Sequence, residues 1–147
     1  MRRVLTLALM LAMLAFWGVS LWTLSERLTP TETLVSCAPA AVGLLMLIGF
    51  FVSGRIFNPN DRVRRLFSAV LATTLLLTIA LVYADVFFFS GEIFHGGLTL
   101  LRLEIFTDAR PVLTLAFAGA FVHPILFILS GIALLSLPPP SDNFFRR

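Results

Sequence analysis

Lysine is missing from this chain, cysteine and tyrosine occur once each, histidine occurs twice, and only 13% of the 147 residues are charged. Each shortage removes a class of function. A single cysteine, Cys37, excludes an internal disulfide and any paired-cysteine relay. With His95 and His123 as the only imidazoles, a zinc site finds too few ligands in one place. A haem held by two in-membrane histidines is short of one axial ligand, because His95 falls outside the apolar runs. Against so little charge stand 59% hydrophobic residues and a mean hydropathy of +0.97. Such a chain has too little polar surface to cover itself in water, so lipid must act as the solvent.

Four runs reach the roughly 20 mostly apolar residues that a bilayer crossing takes: residues 4–24, 34–53, 66–88 and 112–137. No Arg or Glu interrupts them. They lack the strict alternation of barrel strands, so helices, which satisfy their own backbone hydrogen bonds, are expected. The expected fold class is an all-α integral membrane protein: one domain over residues 1–147, four transmembrane helices in an antiparallel bundle, and a long external loop over 89–111.

Arginine sets the orientation, since every basic residue here is an arginine. Arg2, Arg3, Arg55, Arg62, Arg64, Arg65, Arg146 and Arg147 fall on one side, and Arg27, Arg102 and Arg110 on the other. The positive-inside rule then places both termini in the cytoplasm. The short, lysine-free chain is expected in a bacterial-type inner membrane. Its start, MRRVLTLALMLAMLAFWGV, resembles a signal peptide in order of charge and apolarity, but the apolar run is long and reads better as a retained first span. Leu34-Val35-Ser36-Cys37 spells a lipoprotein-type box, yet the polar SERLTPTET separates it from the first apolar run, so lipidation of Cys37 is not expected.

The connections differ in kind. Pro30 and the Thr-Glu-Thr before Leu34 look like a turn followed by a helix N-cap. GRIFNPNDRVRR carries an inner turn at Asn58-Pro59-Asn60-Asp61, and Pro138 stops the last helix. The third connection, VFFFSGEIFHGGLTLLRLEIFTDARP, is far longer than a turn requires and is rich in Phe and Leu. An interfacial helix over about residues 97–107 is the favoured reading, ahead of a hairpin turning at His95-Gly96-Gly97.

The candidate site centres on His123, the one imidazole inside a long apolar run. Residues three, four and seven positions away share its helix face: Ala116, Gly119, Ala120, Phe127, Ser130 and Gly131. The small members form a packing stripe that lets another helix approach closely and keeps the ring out of lipid. At about 1.5 Å per residue, His123 lies roughly 18 Å from Pro111, near mid-membrane. Thr78 stands at the same depth on the third helix, with Thr74 one turn inward and Asp85 toward the outer end. A neutral His123 is expected to hydrogen-bond the Thr78 hydroxyl or a backbone carbonyl freed by a kink at Pro124. Asp85 is expected at headgroup level beside Tyr83 and the Phe87-Phe88-Phe89 cluster, paired with Arg102 or Arg110 or simply anchoring the helix. Helix 1 offers Ala8, Ala12 and Ala15 as one small face, with Val19 and Trp22 in the same register; helix 2 offers Ser36, Ala40 and Gly43.

No nucleophile stands within reach of His123, and no P-loop or Thr-Val-Gly-Tyr-Gly filter occurs. No enzyme activity, cofactor or nucleic-acid partner is therefore expected. Arg55, Arg62, Arg64 and Arg65 serve as topology determinants and could hold anionic lipid or an acidic partner. The leading expectation is a non-catalytic accessory or assembly subunit of a larger membrane protein complex. The alternative is a small oligomeric transporter or channel with Thr74, Thr78, Asp85 and His123 along a polar path. A haem- or pigment-bearing subunit using His123 is the third.

Overall fold

The computed structural model describes residues 2–53, 61–90, 92–94 and 110–136; among them every regular element is helical and none is a strand. The first three apolar runs become α1 (Arg2–Ser25), α2 (Pro30–Val52) and α3 (Asp61–Phe88). The fourth is continuous but changes pitch: α4 (Arg110–Phe117), a π-helical turn (Ala118–Val122), then α5 (His123–Ser136). Within these, Val4–Ser25, Pro30–Val52, Arg65–Phe88 and Pro111–Leu134 are long and apolar enough to cross a membrane. The described residues are thus all-helical with four candidate spans, as expected of an integral membrane protein. The stretches read as an interfacial helix over 97–107 or a hairpin at 95–97, and the Asn58-Pro59-Asn60 turn, lie outside the described residues.

Local sequence explains the start of α2. Thr29 is the N-cap: its side-chain oxygen accepts from the Glu32 amide, the Glu32 carboxylate accepts from the Thr29 amide at 2.9 Å, and Pro30 follows at the first helical position. This capping box ties two otherwise orphaned amides to two short side chains. Thr29→Ala should cost about 1 kcal/mol of local stability, seen as faster amide exchange confined to the first turn of α2.

The fourth span is the centre of the packing. It lies against α1, α2 and α3, and α1 also packs on α2 and α3. Aromatic contacts mark the joints: Trp17 meets Phe127 at 5.8 Å and Phe50 meets Phe67 at 5.5 Å, both edge-on. Thr6 and Ser68 share a hydroxyl hydrogen bond between α1 and α3. Lipid tails are as apolar as Leu, so such close packing and hydrogen bonding, rather than escape from water, hold these helices together.

The α1 interface overturns one expectation. Ala8, Ala12 and Ala15 are exposed, as are Val19 at 67% and Trp22 at 69%. The buried face is instead Thr6, Met10, Met13, Trp17, Ser20 and Leu24. The reason is complementarity. The fourth span and α2 already supply the small residues, with Ala116, Gly119, Ala120 and Gly131 buried on one and Ser36, Ala40 and Gly43 on the other. A second small face against them would leave voids, whereas Met and Trp fill the space. Ser130 is only half-buried, at the edge of the stripe.

Pro124 also behaves differently from a simple kink point. Proline has no N–H for the preceding turn, and its ring crowds the carbonyl four residues back. Here the helix widens for one turn just before it: the His123 amide reaches five residues back to the Ala118 carbonyl. Such π turns recur where a helix must absorb an irregularity.

Candidate functional site

The alternative transporter reading strings four polar residues along one path, and all four are buried: Thr74, Thr78, Asp85 and His123, the last three at 0% exposure. Being buried has not made them partners. The Thr74 hydroxyl lies within hydrogen-bond reach of the Val70 and Leu71 carbonyls of its own helix, at 2.9 and 3.1 Å, and Thr78 donates to the Thr74 carbonyl at 2.8 Å. Both hydroxyl protons are therefore spent locally, a common fate of threonine within an apolar helix. The expected bond between His123 and Thr78 does not form.

Its place is taken by a residue that sequence reasoning passed over. Trp17 of α1 donates its indole N–H to His123 Nδ1 at 2.7 Å, fully inside the bundle. The rings meet edge-on with centroids 5.8 Å apart, and Phe16 lies 5.9 Å away on a similar tilt. An indole can only donate, so Nδ1 must be the acceptor and the neutral ring carries its proton on Nε2. That nitrogen has no hydrogen-bond partner. The signal available in the sequence was depth: Trp favours the membrane interface, so a Trp in the middle of a span needs an acceptor at that level.

The tautomer has a chemical consequence. A metal-bound imidazole donates its second N–H to an acceptor and uses its bare nitrogen for the metal. His123 has the opposite arrangement, with its bare nitrogen occupied by Trp17. This counts against His123 as a haem or metal ligand. Among the described residues no three His, Cys, Asp or Glu side chains converge.

Asp85 was expected near the outer end of its helix beside the Phe87-Phe88-Phe89 cluster, paired with an arginine or anchoring the helix. It is sealed inside the fold, and its Oδ1 accepts from the Ile93 amide at 2.7 Å, while Oδ2 has no partner. The local chain explains how Ile93 returns. α3 ends at Phe88, the Phe89 amide donates to the Asp85 carbonyl, and Ser90 takes a left-handed conformation (φ 54°) that turns the chain back. Residues 92–94 then form a helical turn that buries Phe94 against Phe117, ring centroids 6.2 Å apart. Asp85 thus fastens the beginning of the third connection to the bundle. Asp85→Ala should free that turn at a cost of about 1–3 kcal/mol. A cysteine at position 94, in a chain with Cys37 replaced, would change from protected to reactive toward a membrane-impermeant thiol reagent. Asp85→Asn retains an acceptor and should stay protected.

Tyr83, Phe87, Phe88 and Phe89 are exposed around the end of α3, with the Tyr83 and Phe87 rings in contact at a tilt of 32°, centroids 4.4 Å apart. Arg65 is exposed near the start of the same helix. The side chains of Arg62, Arg64 and Arg110, together with Arg55, Arg102 and His95, lie outside what the structure describes, so the expected ion pairs and headgroup contacts lie there too.

With this geometry in hand, no family model, curated protein or solved structure matches the chain.

Proposed function

We propose that this chain is a non-catalytic accessory or assembly subunit of a larger membrane protein complex. In this reading it sits as an antiparallel four-span bundle in a bacterial-type inner membrane, with both termini cytoplasmic. The observation that carries the reading is the use of the membrane-centre imidazole. His123 spends its free nitrogen on Trp17, joining α1 to the fourth span, and the neighbouring threonines donate to their own helix. These polar groups serve packing. The outward faces of α1, α2 and α3, with Leu11, Leu45 and Leu76 exposed among others, offer broad apolar surface to lipid or to neighbouring spans.

The test is extraction from the native membrane in mild detergent, followed by the mass and composition of the particle that carries the chain. A large particle with defined partners is expected. A homo-oligomer with nothing else bound would sink the subunit reading.

One observation favours a second reading, a small oligomeric transporter or channel. Asp85 Oδ2 and His123 Nε2 are both buried without partners, and buried ionisable groups in membrane helices commonly mark a path for ions or protons. This reading expects proton- or ion-coupled flux in liposomes that Asp85→Asn abolishes. The subunit reading expects no flux from the chain alone.

A further inference from the structure

We propose that the crossing of α1 with the fourth span binds one water molecule, held by the His123 Nε2–H, the Gly119 carbonyl and the Ser20 hydroxyl. The inference is independent of the functional reading above.

Three separate observations meet here. The first is the donor: Trp17 holds Nδ1, so the proton is on Nε2, which is sealed from solvent and has no protein partner. The second is an acceptor left over by the π turn. In an ordinary helix the Gly119 carbonyl would take the His123 amide four residues on, but that amide is spent on Ala118. The residue five positions on is Pro124, which has no N–H. Gly119 is itself buried, so its carbonyl lacks both a ladder donor and bulk water. The third is Ser20 of α1, also buried. A Cβ built on Gly119 would lie 1.9 Å from Ser20 Oγ, which places that hydroxyl directly over the turn.

Helix geometry draws the three groups together. Carbonyls point toward the C-terminal end of a helix, so that of Gly119 faces the turn carrying His123. Side chains lean the other way, over the turn N-terminal to their own Cα, so the imidazole reaches back toward Gly119. One donor, one acceptor and one hydroxyl able to act as either supply the two to four polar partners that an internal water needs. Leaving buried polar groups unpaired is costly, and one water gives the Gly119 carbonyl the donor that Pro124 and the π turn withhold from it.

The experiment is magic-angle-spinning NMR on the full-length chain in lipid bilayers, with His95→Gln so that His123 is the only ¹⁵N-labelled histidine. The expected spectrum has a protonated Nε2, a bare hydrogen-bonded Nδ1, and magnetisation transfer to the Nε2–H from a water that exchanges slowly with bulk. Ser20→Ala removes one partner and should weaken that transfer while leaving the Nδ1 signal in place. A proton on Nδ1, or an Nε2–H that receives nothing from water, overturns the proposal. So does a transfer indifferent to Ser20→Ala. Should the His95→Gln chain fail to accumulate, the wild-type chain gives the same readings, its His123 signals identified as those displaced by Trp17→Phe.

Discussion

Gly119→Leu should abolish the folded bundle, and Gly119→Ala alone should cost at least about 1–3 kcal/mol, the usual range for overpacking. A single added Cβ meets Ser20 Oγ at 1.9 Å, Phe16 Cε2 at 2.9 Å and Ser20 Cβ at 2.9 Å. Neither residue can yield cheaply: Ser20 is short, and Phe16 lies against the His123 ring. The helices must therefore separate, which breaks the Trp17–His123 bond. Other glycines provide the controls. Gly131→Ala meets the Met46 thioether at 2.4 Å, but a methionine side chain can swing aside, so the loss should be small. Gly18 and Gly49 have nothing within 4 Å, and alanine there should be neutral or mildly stabilising. Thermal unfolding in detergent, followed by size-exclusion profile, ranks the four. A Gly119→Leu chain as stable as wild type would show that this crossing does not hold the bundle. Ser20→Gly should partly rescue Gly119→Ala.

Trp17→Ala is the second substitution with a large expected effect, about 3–5 kcal/mol. The indole fills space between three elements: a Cβ on Gly43 of α2 would lie 2.8 Å from it, Phe127 packs on it edge-on, and His123 accepts its N–H. Trp17→Phe separates bulk from hydrogen bond, because it keeps most of the aromatic packing and strips only the donor. Its combination with His123→Leu in a double-mutant cycle should return a coupling of about 1 kcal/mol, within the range for hydrogen bonds between membrane helices. A coupling near zero would mean that the two rings merely touch. If His123 matters only for packing and this bond, His123→Gln should be mild, since its amide oxygen can accept from Trp17. Function lost in that variant at unchanged protein level would instead make the imidazole a working group.

The four candidate spans were legible because length and apolarity alone decide them, and the small stripes of α2 and the fourth span were legible because Ser36-Ala40-Gly43 and Ala116-Gly119-Ala120 recur at the three- and four-residue spacing of one helix face. The orientation of α1 was not. A helix that is apolar all round carries little polar asymmetry to say which side faces inward, and either Ala8-Ala12-Ala15 or Met10-Met13-Trp17 makes a plausible seam. The choice depends on the shape of the opposing helix, which only packing reveals. The same holds for the site: His123 stood out as the lone mid-span imidazole, but its partner did not, because interior Trp reads as bulk until its N–H has to go somewhere. The burial of Asp85 was not legible for a different reason: it depends on the turn at Ser90, which folds the following residues back over it.

The distribution of buried surface has a consequence for biogenesis. Only 22%, 28% and 22% of the most apolar windows of the first three spans are buried, against 56% of the fourth. Ribosomes deliver the chain from the N-terminus, so the helix on which the other three rest is made after them. Until it emerges, Trp17 has neither its acceptor His123 nor its packing partner Phe127. A nascent chain carrying three spans is a set of helices awaiting their common partner, in which membrane quality control and any insertion chaperone would find exposed the residues that the finished protein conceals.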